Sequence, residues 1–369
     1  MQGIFEKRRE QVRKRMEEEG MEGALVLHPT NIYYLTGYLA DPHERFMGLF
    51  LFRSSEEVFL VPQLERERAN AYLKEVVSYT DDEGPLPLIR KIMTDLTEGV
   101  FGVEKEVITL ERVEWLKEIS PSLIFRSLHP FLAKLRGVKS REEQDLLRRA
   151  GKMLDEILME GIRSLKKGMT ERQMVTLLEG LAKERGVQRM SFDTMVLSGP
   201  KSALPHGIPE DRPILEGEYL LFDLGIPYQG YHSDITRTFF LGKPTKRHEM
   251  VYKTVLKAQQ SAISMVKPGI LYRSLDEEAR RVIEAEGYGS YFIHRLGHGL
   301  GLDVHEFPSV HGHNGEIVEV GNVFTVEPGI YIPDFGGVRI EDDVIVTAQG
   351  AETFTGAPKE WEEMILSFS

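Results

Sequence analysis

Gly217-Glu-Tyr-Leu-Leu-Phe-Asp223 and Gly321-Asn-Val-Phe-Thr-Val-Glu327 share one pattern: a glycine, a β-type apolar run, and an acid six residues on. A second acid follows each, Asp234 after 11 residues and Glu341 after 14. What precedes the two stretches also matches. A long helical pattern opens at Ser140, with Glu143 completing a capping box, and runs toward Gly168; another covers about 246–266 and stops at Pro268-Gly269. A shorter capped helix follows each, from Thr170 with Gln173 to Gly186, and from Ser274 with Glu277 to Gly287. In the first half SFDTMVL at 191–197, YLLFDLG at 219–225 and DITRTFFL at 234–241 read as strands, and strand-rich sequence likewise closes the second. The ordered series implies an internal duplication. Two copies packed about a pseudo-twofold axis would bring both acid pairs to the centre.

Upstream the pattern changes. Residues 5–19 read as a charged helix ended by Gly20, with Val12 and Met16 on one face. Strand-type runs at 24–28, 32–35, 47–52, 58–61, 100–103 and 123–125 alternate with helical stretches around 63–75, 86–97 and 109–119. That alternation indicates an α/β layer architecture. The block ends near Arg136-Gly137. It divides the 369 residues, too many for one ordinary core, into an N-terminal domain, 1–136, and the duplicated domain, 137–369.

The net charge, 46 − 58 = −12, argues against a nucleic-acid or anionic-membrane binder, because phosphate binding needs a basic face. With no cysteine, disulfides, thiolate metal sites and a cysteine nucleophile are excluded. MQGIFEKRREQVRKRMEEEG lacks the apolar stretch of a secretory signal, and no run of about 18 apolar residues occurs in the sequence. The expected location is the cytoplasm.

The acids are placed unusually. Asp223 follows Leu221 at period two, Glu327 is flanked the same way in VFTVEPG, and Glu341 lies in VRIEDDVIV, so all four acids are expected on strands. A charge on a buried strand is costly unless it is paired or binds a metal. One strand acid is most simply a surface ion pair; four in a duplicated arrangement are not. Between the pairs lies His298-Gly-Leu-Gly-Leu-Asp-Val-His305-Glu306, where glycines 297, 299 and 301 permit close backbone approach. His206, in Ala203-Leu-Pro-His206-Gly207, has a similar setting, whereas His311 and His313 in HGHNG read as solvated loop residues. One imidazole and four carboxylates suit hard or borderline divalent ions, and two cations would neutralise acids too crowded for one. Cations about 3.5–4 Å apart activate a shared water and polarise a carbonyl or phosphoryl oxygen. Amide, ester and phosphate hydrolysis all stay open; the glycines match neither nucleotide-binding pattern, which favours the amide.

As an ordered set, ALPHG at 203–207, FDLG at 222–225, SDITRTF at 233–239, HGLGLDVHE at 298–306, TVEPGIY at 325–331 and GGVRIEDDVIVT at 336–347 resemble the proline-specific peptidases of the pita-bread fold. These are Xaa-Pro dipeptidase (prolidase) and aminopeptidase P. The resemblance covers the chain from about 140 to its end. It implies an α/β (α+β) fold, a creatinase-like N-terminal domain followed by a pita-bread catalytic domain. It places Asp223, Asp234 and Glu341 on one metal and Asp234, His298, Glu327 and Glu341 on the other, both divalent, with Mn²⁺ ahead of Co²⁺ or Zn²⁺. A bridging hydroxide would attack the scissile carbonyl, and Glu327 would carry the proton to the leaving nitrogen of proline. His206 and His305 would hold the substrate and stabilise the oxyanion. Arg339 would support the site or bind a substrate carboxylate. Asp41-Pro-His43-Glu44-Arg45 looks like a loop of bacterial prolidases, which implies that His43 and Arg45 contact the substrate across a homodimer. The implied partner is a small peptide with proline second, with no nucleic acid and no membrane.

One departure stands out. Some prolidases carry an arginine shortly after the HE pair, for the carboxylate of the dipeptide, and here Ser309 occupies that place. Arg45 or Arg339 then takes the task, or dipeptide selectivity relaxes, although HEFPS itself resembles cytosolic bacterial dipeptidases. A dipeptidase is expected first, and an aminopeptidase acting on longer peptides second. The third reading, a binding module or a metal-free creatinase-like hydrolase, implies lost metal ligands, and all five are present.

Overall fold

Gly217 and Gly321 both adopt a φ of 89°, left-handed backbone that a side chain resists. The stretch repeated in sequence thus repeats in conformation, and so do the hydrogen bonds around it. Ile214 N–H donates to Met169 O at 2.9 Å, and Val318 N–H to Ile270 O at 2.8 Å. Glu171 N–H donates to Arg212 O at 3.2 Å, and Tyr272 N–H to Glu316 O at 3.1 Å. In each half the start of a helix is stitched to the loop that leads into the glycine.

The structure, a computed structural model, describes residues 2–368 and divides into two compact units, Met1–Arg136 and Gly137–Ser369. In the first, strands β1 (Met21–Val26), β2 (Gly48–Phe52), β3 (Glu57–Pro62), β4 (Val76–Tyr79), β5 (Glu98–Val103) and β6 (Ser122–Ser127) form a mixed sheet in the order β4-β3-β2-β1-β5-β6. Its helices are α1 (Gln2–Glu18), α2 (Pro29–Thr36), α3 (Arg66–Ala69), α4 (Leu86–Ile92), α5 (Leu110–Ile119) and α6 (His129–Gly137). Leu25, Phe50, Leu60 and Phe101 are fully buried in the core of this sheet. Two sequence expectations fail. The aromatic run at 32–35, expected as a strand, lies in α2, which Pro29 starts and Gly37, at φ 80°, ends. The helix expected over 63–75 shrinks to a 3₁₀ turn and α3, which ends at Ala69 ahead of a turn that leads into β4 at Val76.

The second unit contains α7 (Arg141–Arg163), α8 (Glu171–Glu184), β7 (Met195–Ser198), β8 (Glu218–Leu224), β9 (Pro227–Tyr228), β10 (Tyr231–His232) and β11 (Ile235–Leu241). Its second half contains α9 (Lys246–Met265), α10 (Tyr272–Ala285), β12 (Gly297–Gly299), β13 (Glu306–Val310), β14 (Val323–Val326), β15 (Gly329–Ile332), β16 (Gly336–Arg339), β17 (Asp342–Thr347), β18 (Gly350–Thr353) and β19 (Ile365–Leu366). The sheets run β19-β11-β8-β7 and β13-β12-β14-β17-β18. The antiparallel trio β7-β8-β11 is therefore matched by β12-β14-β17. The capping boxes at Ser140 and Thr170 form as read. The one expected at Ser274 does not: α10 begins at Tyr272, with no side-chain cap. The carbonyls of Glu316 and Asn314 accept the N–H groups of Tyr272 and Arg273, so the stitched loop caps the helix instead. Among the described residues no helix is long and apolar enough to cross a membrane.

Candidate active site

The four acids come from both halves, but only Asp223 lies within a strand, opposite Thr236 of β11. Asp234 precedes β11, Glu327 follows β14, and Glu341 stands between β16 and β17. The expectation of four strand acids is corrected to one strand and three strand ends. Beyond the ladder a side chain is released from period-two alternation, and acids from separate sheets can turn to one point. The backbone already crosses there, with Glu341 N–H donating to Thr236 O at 3.1 Å.

His298 is central in the short β12. A Cβ on Gly297 would lie 1.9 Å from Thr325 O, and one on Gly299 2.2 Å from Phe307 O. The glycines thus let β12 fit between β13 and β14. His298 Nε2 lies 3.9 Å from Asp234 Oδ2 and 3.3 Å from Glu327 Oε1. Asp234, His298 and Glu341 each present a ligand atom within 4.8 Å of the others. Asp223 accepts from Arg339 Nη2, so its carboxylate is turned toward the guanidinium. All five residues line one cavity of about 780 Å³.

Hydrogen bonds fix the set. Thr236 Oγ1 donates to Glu341 Oε2 at 2.6 Å and accepts from Arg339 Nε at 2.9 Å. Asp234 N–H donates to Asp343 Oδ2 at 2.9 Å, and Thr325 Oγ1 donates to Glu327 Oε1 at 3.0 Å. Asp234 Oδ1 and Glu341 Oε1 are buried with no hydrogen-bond partner. Burial, then the charges of Glu341 and Asp223, pushes Asp234 far above the carboxylate range; burial, then Glu327 and Asp223, does the same to Glu341. Burial raises Glu327 to about 7 against the pull of Arg339, and lowers His298 to about 3, with His305 adding to the shift. Crowded carboxylates, two inward oxygens without donors and a neutral imidazole make a donor set lacking positive charge. It fits a hard or borderline divalent cation.

His305 lies with its ring centroid 4.0 Å from that of His298. His206, exposed, lines the same cavity. Arg339 is buried and donates to Thr236, Asp223 and, at 2.9 Å, the Tyr331 hydroxyl. His43 and Arg45 belong to the first unit. His43 is exposed, and Arg45 grips Asp81 through two bonds of 2.9 Å. His311 and His313 sit in a turn outside the cavity lining. His294, Arg295 and Tyr331 also line the cavity and were not anticipated from the sequence. Tyr331 hydroxyl lies 2.9 Å from His294 Nε2, and Arg295 Nη1 donates to Ser309 Oγ at 3.0 Å. The only available signal was position: His294-Arg295 runs directly into the His298 segment, and Tyr331 closes TVEPGIY.

The model of the Creatinase/Prolidase N-terminal domain matches residues 8–138, and that of Metallopeptidase family M24 matches 145–348. A Staphylococcus saprophyticus protein named Uncharacterized peptidase SSP1059 is 42% identical over 352 residues, 95% of this chain and 99% of that one. The solved recombinant prolidase from Thermococcus sibiricus superposes with a TM-score of 0.92 at 33% identity, covering 99% of both chains. The X-Pro aminopeptidase from Thermotoga maritima MSB8 superposes at 0.85 with 29% identity, over 96% of this chain and 99% of that one. The likeness runs through both units, and a cation-seeking cluster lies at the heart of the second, so the chain belongs to metallopeptidase family M24, its pita-bread catalytic domain preceded by a creatinase/prolidase-type domain.

Proposed function

We propose that this metallopeptidase is an Xaa-Pro dipeptidase in which Asp223, Asp234, His298, Glu327 and Glu341 hold two divalent cations, Mn²⁺ first and Co²⁺ or Zn²⁺ as substitutes. Bound there, the cations supply a hydroxide at neutral pH and polarise the scissile carbonyl. Glu327 takes the proton of the attacking water and returns it to the departing proline nitrogen. His206 and His305, both on the cavity wall, donate to the carbonyl oxygen as it gains charge.

The observation that carries the dipeptide reading is Arg295. Its guanidinium lies in the cavity wall and donates to Ser309, the residue that stands where some prolidases carry an arginine. A guanidinium there pairs with the free carboxylate of a dipeptide; a longer peptide presents a neutral amide at that point and gains less. Arg339, with its donors on Thr236, Tyr331 and Asp223, is a support instead. His43 keeps its role as a substrate contact within a homodimer, whereas Arg45 would first have to release Asp81. The test compares Ala-Pro with Ala-Pro-Ala-Ala on Mn²⁺-loaded protein. The expected kcat/KM ratio is at least about tenfold in favour of the dipeptide, the value of one lost charged pair. Equal or faster cleavage of the tetrapeptide moves the assignment to the aminopeptidase reading, which the Thermotoga maritima likeness supports.

A further inference from the structure

His206 sits at the tip of a loop between β7 and β8, and within that tip the turn bonds are few: Leu204 N–H to Lys201 O and Gly207 N–H to Leu204 O, both 3.0 Å. A catalytic imidazole on an exposed loop needs something rigid beneath it. The loop is braced from inside. Lys201, on the outgoing limb, donates from Nζ to the carbonyl of Ile208 on the returning limb at 2.8 Å. The same ammonium meets Glu171 Oε2 at 2.9 Å and Glu210 Oε2 at 3.0 Å, so three acceptors match its three donors. Glu171, at the first turn of α8, is fully buried, and its Oε2 also accepts from Glu210 N–H at 3.0 Å. Its Oε1 takes Ser198 N–H at 2.8 Å and Ser198 Oγ at 2.9 Å. One carboxylate at the start of α8 thereby grips the loop before and after its tip, and Lys201 ties the limbs together.

We propose that Lys201, anchored on Glu171, is a positioning residue for His206: it holds both limbs of the loop so that the imidazole stays at the cavity. The proposal rests on the catalytic role given above to His206. Nothing in the cluster touches the five metal-binding candidates, so its loss should leave metal content unchanged.

The experiment uses the full-length, Mn²⁺-loaded protein with K201M, K201R, H206N and K201M/H206N. Backbone hydrogen exchange is followed over 203–208, with β8 as the control for folding. In K201M, exchange at Leu204 and Gly207 should accelerate while β8 stays protected, and kcat/KM should fall about tenfold, as displacement of a catalytic group predicts. K201R, which keeps the charge and the donors, should recover most of both. The double variant should be no slower than H206N alone, because both changes remove one contribution. Unchanged exchange in K201M, or losses that multiply in the double variant, would overturn the brace. If H206N by itself is fully active, the role of His206 fails and so does the purpose of the brace, while exchange still reports whether Lys201 holds the loop.

Discussion

At the scale of single residues, the site assigns different tasks to groups of the same type. Glu341 is buried and Glu327 half-buried, and each accepts from one threonine hydroxyl, Thr236 and Thr325, but Glu327 also lies 3.3 Å from His298 Nε2. Glu327 is the proton carrier of the proposed reaction. Glu327→Gln should keep substrate affinity and lose kcat by about 10²–10⁴-fold, as removal of a general acid–base does; calorimetric binding with steady-state kinetics checks it, and an active variant would sink the assignment. His294 gives a pH signature. Burial, and then the charge of Arg339, lowers its pKa to about 4 from an ordinary 6.5. Between those values the unfolded chain binds the extra proton, so folding stability decreases as pH falls from about 6.5 to about 4, then levels off. The effect is at most about 3 kcal/mol. His294→Asn should flatten the pH dependence of Tm across that window; an unchanged slope would show that the histidine is not held neutral.

At the scale of elements, β12 depends on the missing side chain of Gly297. With Thr325 O only 1.9 Å from where a Cβ would stand, Gly297→Ala must push β12 off β14 and carry His298 with it. The expected result is a loss of about 2–4 kcal/mol on overpacking and weakened Mn²⁺ binding, read by denaturant titration and calorimetry. Gly180→Ala on α8, where a Cβ meets nothing within 4 Å, should instead raise stability by about 0.4–1 kcal/mol. These elements also show what the sequence made legible. Asp223, Asp234, Glu327, Glu341 and His298 could be read because a local pattern occurs twice and glycines mark the close approaches. Tyr331, His294 and Arg295 could not, because their meaning lies in contacts such as Tyr331 with His294, 37 positions apart, and Arg339 with Asp223, 116 apart. Helix α10 was misplaced for a related reason: its cap is a distant backbone, not a side chain in the sequence window.

At the scale of the whole catalytic unit, the cluster joins halves that are remote in sequence, so a cation bound there stabilises only the folded chain. At a hundred times its Kd, Mn²⁺ should add about 2.7 kcal/mol, seen as a rise in Tm with metal concentration. Exhaustive chelation should abolish turnover, and Mn²⁺ or Co²⁺ should restore it. Full activity after chelation would end the metal-dependent reading.

The two halves share stitches, glycines and sheet order, yet they do not carry the same side chains. His298, Arg295 and His305 belong to the second half, and the first contributes His206. A scaffold that repeats itself would hold a chain running in either sense equally well. The unequal decoration would remove that ambiguity: under the proposed function the substrate carboxylate pairs with Arg295, which comes from the second half, so the cavity would have a heading and a peptide entering it would lie in one sense.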